Sequence, residues 1–282
     1  MKQMSRTLYD SVRYLSSDLD SPEITFAAQY LFNYYAPFPF NSITHDSVQN
    51  LVKTFQTNFG IVSDGIIDDK TIRAMEYPRC GVTDALPLIL ALSQWKNKRK
   101  LFYFFGSYLS ALTKTSQQDM FHTAVNSWSS ICGLTFDISP TINNADIVIN
   151  ASKLRREEFG QRGGVLAWAE LPQGSDLQLQ MKIDDVEPWV DIPNKSGIYY
   201  QAVVAHELGH SIGIGHLNQQ SQLMNAFYNA AIFTPQEHDI MEAKSRYGIS
   251  AIQPGPIPEA EVNFVIKAKN IEVEGYTLIK NV

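Results

Sequence analysis

One stretch, His206-Glu207-Leu208-Gly209-His210-Ser211-Ile212-Gly213-Ile214-Gly215-His216, constrains this chain more than any other. Residues four apart on a helix share a face, so a helix through His206 and His210 brings both imidazoles to one point. His216 lies six residues further on, where a continuing helix would turn it away. The helix is therefore expected to stop, with Gly213 and Gly215 tolerating the left-handed backbone a sharp stop needs. Three neutral imidazoles and one open position describe a catalytic zinc centre rather than a closed structural one. Glu207, beside the first ligand, is placed to act as a general base on water there.

With 282 residues the chain can build two modest domains, each with its own core. A net charge of −6 argues against a nucleic-acid partner, because no basic domain is available to neutralise phosphates. The longest apolar run, Ala85 to Leu92, is too short for a transmembrane segment. Met1-Lys2-Gln3-Met4-Ser5-Arg6 leads into no apolar stretch, so no secretory signal is visible. The two cysteines, Cys80 and Cys132, could pair on count alone.

Residues 1–77 read as a small helical bundle. Ser21-Pro22-Glu23 is a helix start, and Asp68 can cap a short helix carrying Ile72 and Met75. Val48, Leu51, Val52, Phe55 and Phe59 recur at helical spacing. Further on, strands are expected at Leu101–Phe105, Leu134–Ile138 and Ala145–Ile149, with a helix through Phe121, Ala124, Val125 and Trp128. Thr234-Pro235-Gln236-Glu237 starts a last helix, ending at Tyr247-Gly248. The basic run Lys96–Lys100 reads as a solvated strand edge, and Cys132 as an inert buried thiol. His45, His122 and His238 lack ligand spacing and read as structural or surface histidines.

Three stretches carry a family resemblance. Phe55-Gln56, Phe59-Gly60-Ile61 and Asp64-Gly65-Ile66-Ile67-Asp68 resemble the peptidoglycan-binding-like fold that precedes many secreted metalloproteases. Pro78-Arg79-Cys80-Gly81-Val82-Thr83-Asp84 resembles the cysteine switch of the matrix metalloproteinases, whose usual form has proline at the position of Thr83. The histidine stretch, followed by Met224 at the place of a Met-turn, resembles the wider metzincin pattern. The resemblance implies that Cys80 is a fourth metal ligand in a latent form, with Arg79 pairing to Asp84. It also implies an edge strand at Gly163–Ala169 that receives an extended peptide, with Leu166, Ala167, Val203 and Tyr228 as substrate-binding residues.

The pattern also breaks. Where the family holds a second, structural zinc, this chain has Lys153, Arg155, Trp168 and Lys182, so that zinc is expected to be missing. Cationic side chains there are expected to pair with Glu157, Glu158 or Asp185. Asp184 and Glu187 match two calcium ligands, but Gly160 replaces an expected aspartate. They read either as a weakened calcium site or as a solvated acidic turn. Leu217 follows His216 where serine is usual.

The reading is an α+β chain: a helical, peptidoglycan-binding-like prodomain over 1–84 with the switch at 78–84, then a linker at 85–94. A zincin-like catalytic domain follows over 95–248, with a twisted mixed sheet and three helices. Residues 249–282 form a Pro-rich hinge and a tail of unknown role, and no haemopexin-like domain is seen. Sequons at Asn150 and Asn194 hint at glycosylation. The activity implied is a zinc-dependent endopeptidase, extracellular by resemblance. Its partners would be protein substrates and protein inhibitors. The rivals are a peptidoglycan- or matrix-binding protein with a vestigial protease domain, and another metzincin branch, astacin- or adamalysin-like.

Overall fold

The computed structural model describes residues 6–16, 19–35, 44–85, 93–153, 159, 163–172, 176–193 and 195–249. Readings on Arg155, Glu157, Glu158, Gly160, Asn194, residues 86–92 of the linker and the tail from 250 onward lie outside these residues.

Four helices form the N-terminal part: α1 (Arg6–Leu15), α2 (Ser21–Tyr34), α3 (His45–Phe59) and α4 (Asp69–Met75). The cap of α2 is Asp20, one residue before the expected serine. Its carboxylate accepts from Glu23 N while Glu23 accepts from Asp20 N, a reciprocal box that Ser21 is not placed to make. Thr44 and Ser47 make the same box at α3, which ends at Gly60 in the left-handed conformation (φ 82°). As the spacing predicts, α3 buries Val48, Val52 and Phe55, and Asp68 caps α4. Gln56 is buried too. Its amide donates to Asp64 Oδ1 and Ile66 O and its carbonyl accepts from Gly65 N, so one side chain staples the 64–68 turn to the helix.

The second part is a six-stranded sheet in the order β1-β5-β6-β4-β2-β3. The strands are β1 (Arg79–Cys80), β2 (Lys100–Phe105), β3 (Thr135–Ile138), β4 (Ile147–Ser152), β5 (Val165–Ala169) and β6 (Leu179–Asp184). Only the β5–β6 pair is antiparallel. A short separate pair joins β7 (Trp189–Val190) to β8 (Ile198–Tyr199). β4 begins two residues later than expected, because Ala145 N still bonds Ile142 O at the end of a 3-10 turn.

Among the described residues this part also holds helices α5 (Lys114–Ser129), α6 (Tyr200–Ser211) and α7 (Glu237–Tyr247), matching the three that were expected. Every residue of α6 is buried, so its C-terminal carbonyls need protein donors. Two aromatic side chains supply them, Trp95 Nε1 to Ser211 O and Tyr247 Oη to Ile212 O, and Trp128 Nε1 donates to Ala205 O in the middle of the helix. α7 starts later than Thr234-Pro235 implies. Gln236 is its N-cap, and Asp239 at the third helical position accepts from Gln236 N. The core beneath the sheet gathers Trp95, Leu101, Phe121, Trp128, Ile147 and Leu208. A second core gathers the four N-terminal helices and takes in Ala226 and Phe227 from the far end of the chain.

Candidate metal centre

α6 ends through a tight helix stop. Gly213 N donates to His210 O at 2.7 Å and Ile214 N to Gly209 O at 2.9 Å, the paired bonds of a Schellman cap. Gly213 takes φ 90°, and a Cβ there would sit 1.8 Å from Ser93 O, so both conformation and space require glycine. Gly215, expected to share that role, is not in the left-handed region. One left-handed residue suffices to reverse the chain and carry His216 back over the helix.

The three rings then converge. His206 Nε2 lies 3.1 Å from His210 Nε2, which lies 3.1 Å from His216 Nε2. Cys80 Sγ is 3.4 Å from His210 Nε2, and the four donor atoms fall within 4.8 Å of one another. Each ring's proton sits on the far nitrogen: Nδ1–H of His206 donates to Leu223 O, of His210 to Ile214 O and of His216 to Asp84 Oδ1. All three Nε2 lone pairs therefore face a common point at a separation that repels without a cation between them. Tetrahedral zinc sets N···N edges at about 3.3 Å and N···S edges at about 3.6 Å, so the residues fit that ion. Burial holds the imidazoles neutral, pushing His206 down to about 3.

Glu207 is buried beside the cluster, and its Oε2 has no hydrogen-bond partner among the described residues. Burial pushes its carboxyl up to about 8. Burial, and then the Glu207 charge, likewise push the Cys80 thiol up, while Val82 N–H donates to its sulfur. A divalent cation among these groups would draw both back down. Met224 packs under α6, its sulfur against Gly209.

The segment carrying Cys80 threads between two partners. On one side it pairs parallel to β5, Arg79 N donating to Gly164 O and Gly81 N to Ala167 O. On the other, Cys80 N donates to Ala226 O and Tyr228 N to Pro78 O. The edge of β5 expected to lie open to a peptide is thus occupied by the chain's own β1, which satisfies the same backbone groups. Arg79 is 2% exposed, and the expected pairing to Asp84 is present, with Nη2 at 3.1 Å from both carboxylate oxygens. Its Nη1 donates to Tyr30 Oη at 2.7 Å, and the guanidinium stacks 3.8 Å from the Tyr34 ring.

A family model described as Matrixin matches residues 94–248, more than half of the chain, and one described as Putative peptidoglycan binding domain matches residues 21–75. The chain belongs to the matrixin family. It is 34% identical over 199 residues to the hatching enzyme of Paracentrotus lividus (69% of this chain, 33% of that protein). It is 32% identical to matrix metalloproteinase-C of Caenorhabditis elegans over 215 residues (73% and 36%). Interstitial collagenase B of Mus musculus is 32% identical over 213 residues (73% and 44%). The chain spans between a third and under half the length of these curated relatives.

In this matrixin, Thr83 Oγ1 donates to Tyr34 O and accepts from Ala85 N, anchoring the 78–84 segment at the position where the resemblance led one to expect proline. A pocket beside His206 and Glu207 is lined by Leu166, Val203 and Tyr228, and by Ala202, Leu223 and Ile232. Ala167 contributes its carbonyl to Gly81 instead of lining it. Tyr199 N donates to Tyr228 Oη and holds that wall. Asp184 and Glu187 are buried; Asp184 accepts from Val186 N and Glu187 from Gly163 N. At the positions of the second zinc, Lys153 lies 3.5 Å from Asp185, and the Lys182 ammonium 5.6 Å from the ring of its cross-strand neighbour Trp168.

Asp239 escapes a reading by motif. Its carboxylate accepts from Leu223 N and Met224 N, so it holds both the Met224 turn and the carbonyl that orients His206. The only signal was an acid early in the last helix, which reads equally well as an ordinary helix start.

Proposed function

We propose that this chain is a latent zinc-dependent endopeptidase that hydrolyses peptide bonds in extracellular or matrix proteins. The observation that carries the reading is the convergence of four donor atoms within 4.8 Å, beside a buried carboxylate oxygen without a partner. His206, His210 and His216 would hold the zinc, with Cys80 as fourth ligand, and Met224 would support the floor beneath. Zinc supplies Lewis-acid polarisation of a carbonyl and a lowered pKa for water.

Glu207 takes the proton from water and returns it to the leaving amine, its Oε2 being without a hydrogen-bond partner among the described residues. An extended substrate adds to β5 in place of β1 through backbone groups such as Ala167 O. Leu166, Val203 and Tyr228 select an apolar side chain. Residues 1–84 act as the prodomain, 85–94 as a linker and 95–248 as the catalytic domain. The enzyme works outside the cell on protein substrates, and protein inhibitors would enter by the same edge. Lys153, Arg155 and Lys182 stand in for the charge of the second zinc, supported by the ion pair of Lys153 with Asp185. Asp184 and Glu187 form at most a weakened calcium site, their acceptors already serving backbone donors.

Glu207→Ala is expected to retain zinc and lose peptide turnover by at least about 10²-fold. Cys80→Ser is expected to cleave peptides without processing, and a chelator to abolish this. Turnover retained by Glu207→Ala, or a chain that takes up no zinc, overturns the reading.

A further inference from the structure

Two of the three zinc-site histidines are oriented from within their own domain. His206 donates to Leu223 O and His210 to Ile214 O, both neighbours of the centre in sequence. His216 differs. Its Nδ1–H donates at 2.5 Å to Asp84 Oδ1, a carboxylate 132 residues upstream and four residues past Cys80. Both side chains are buried, at 5% and 7% exposure.

We infer that Asp84 is a positioning residue for the metal centre, holding His216 in its ligating orientation and strengthening it as a donor. The inference rests on the zinc reading above. The carboxylate does not drift onto His216 by chance. Arg79 grips both its oxygens, Asp84 N donates to Tyr34 O at the end of α2, and Thr83 Oγ1 donates to the same carbonyl. The N-terminal helices thus fix where the carboxylate stands. An imidazole that donates its second proton to a carboxylate is a better-oriented and more basic metal ligand than one facing water.

Displacement of residues 78–84 consequently removes two things at once. Sulfur leaves the fourth position, and the carboxylate leaves His216. The latent chain holds its metal more tightly than loss of the thiolate alone accounts for, and opening makes His216 a weaker donor. Arg79 therefore has a double effect, since it both locks the segment shut and aims the group that tunes the centre.

The test uses the intact chain in a Glu207→Gln background, so that no variant digests itself, and zinc as the probe. Chelator competition compares Cys80→Ser with Cys80→Ser/Asp84→Asn, which removes the sulfur contribution from both. Zinc retention is expected to fall about 10–100-fold on adding Asp84→Asn. A second reading needs no change at Asp84 or Cys80. In the zinc-loaded chain the His216 Nδ1–H proton resonance should lie further downfield than those of His206 and His210, and move upfield once the N-terminal part is cleaved away. Equal retention in the two variants, or a His216 resonance indifferent to cleavage, overturns the inference. A parent chain that takes up no zinc overturns the metal-centre reading instead.

Discussion

Arg79→Ala removes the cation from a buried pair and leaves the Asp84 carboxylate behind. The guanidinium makes four close polar contacts: Cys80 O, Tyr30 Oη and both oxygens of Asp84. It is also enclosed by Tyr34 and Phe227. Breaking a buried pair by removing one partner costs about 3–5 kcal/mol. His216 still donates to Asp84 in the variant, so the lower end, about 3 kcal/mol, is the better value. That cost falls on the docked state of residues 78–84, because only there is the Asp84 carboxylate buried against His216 with Phe227 beside it; once the segment leaves, water solvates the carboxylate that Arg79 no longer pairs. At about 1.4 kcal/mol per decade, the undocked population rises about 10²-fold. The assay is the rate of Cys80 alkylation in the unprocessed chain, with peptide turnover followed in parallel. Both should rise by that factor, and Arg79→Lys should fall between variant and parent. A fold that stays intact with alkylation within about threefold of the parent would refute the reasoning.

The interface aromatic Phe227 packs edge-to-face on Phe59 at 4.8 Å. Phe227→Ala should expose Cys80 through a loss approaching the about 3–5 kcal/mol of a buried aromatic, while the processed chain keeps its unfolding midpoint. An equal loss in the processed chain would place the ring in the catalytic core instead. Gly209→Ala would set a Cβ 2.2 Å from Met224 Sδ and 2.9 Å from Trp128 Cζ2, with Trp128 pinned to Ala205 O. Denaturant unfolding should show a loss of about 1–3 kcal/mol, and unchanged stability would mean the methionine yields freely.

The convergence of the three histidines was legible in the sequence because its geometry is local. His206 and His210 share a helix face by spacing alone, and the helix stop that returns His216 is written in Gly213. The bundle of α1–α4 and the strand periods were legible for the same reason, since capping, burial faces and alternation are set within a few residues. Boundaries slipped where two caps competed, as at Asp20 against Ser21 and Gln236 against Thr234. Spacing could not show what Asp84 and Asp239 do. Each meets its histidine, or the carbonyl that aims it, only after distant elements pack, Asp84 across 132 positions. The resemblance proposed the partner of Arg79, but only the packed molecule shows that the same carboxylate also holds His216. Likewise β5 reads as an open edge from its own residues, and becomes an inner strand because β1 arrives from elsewhere in the chain. Local sequence sets which groups a segment offers; which of them are left unsatisfied, and what comes to satisfy them, is decided when the two cores close on each other.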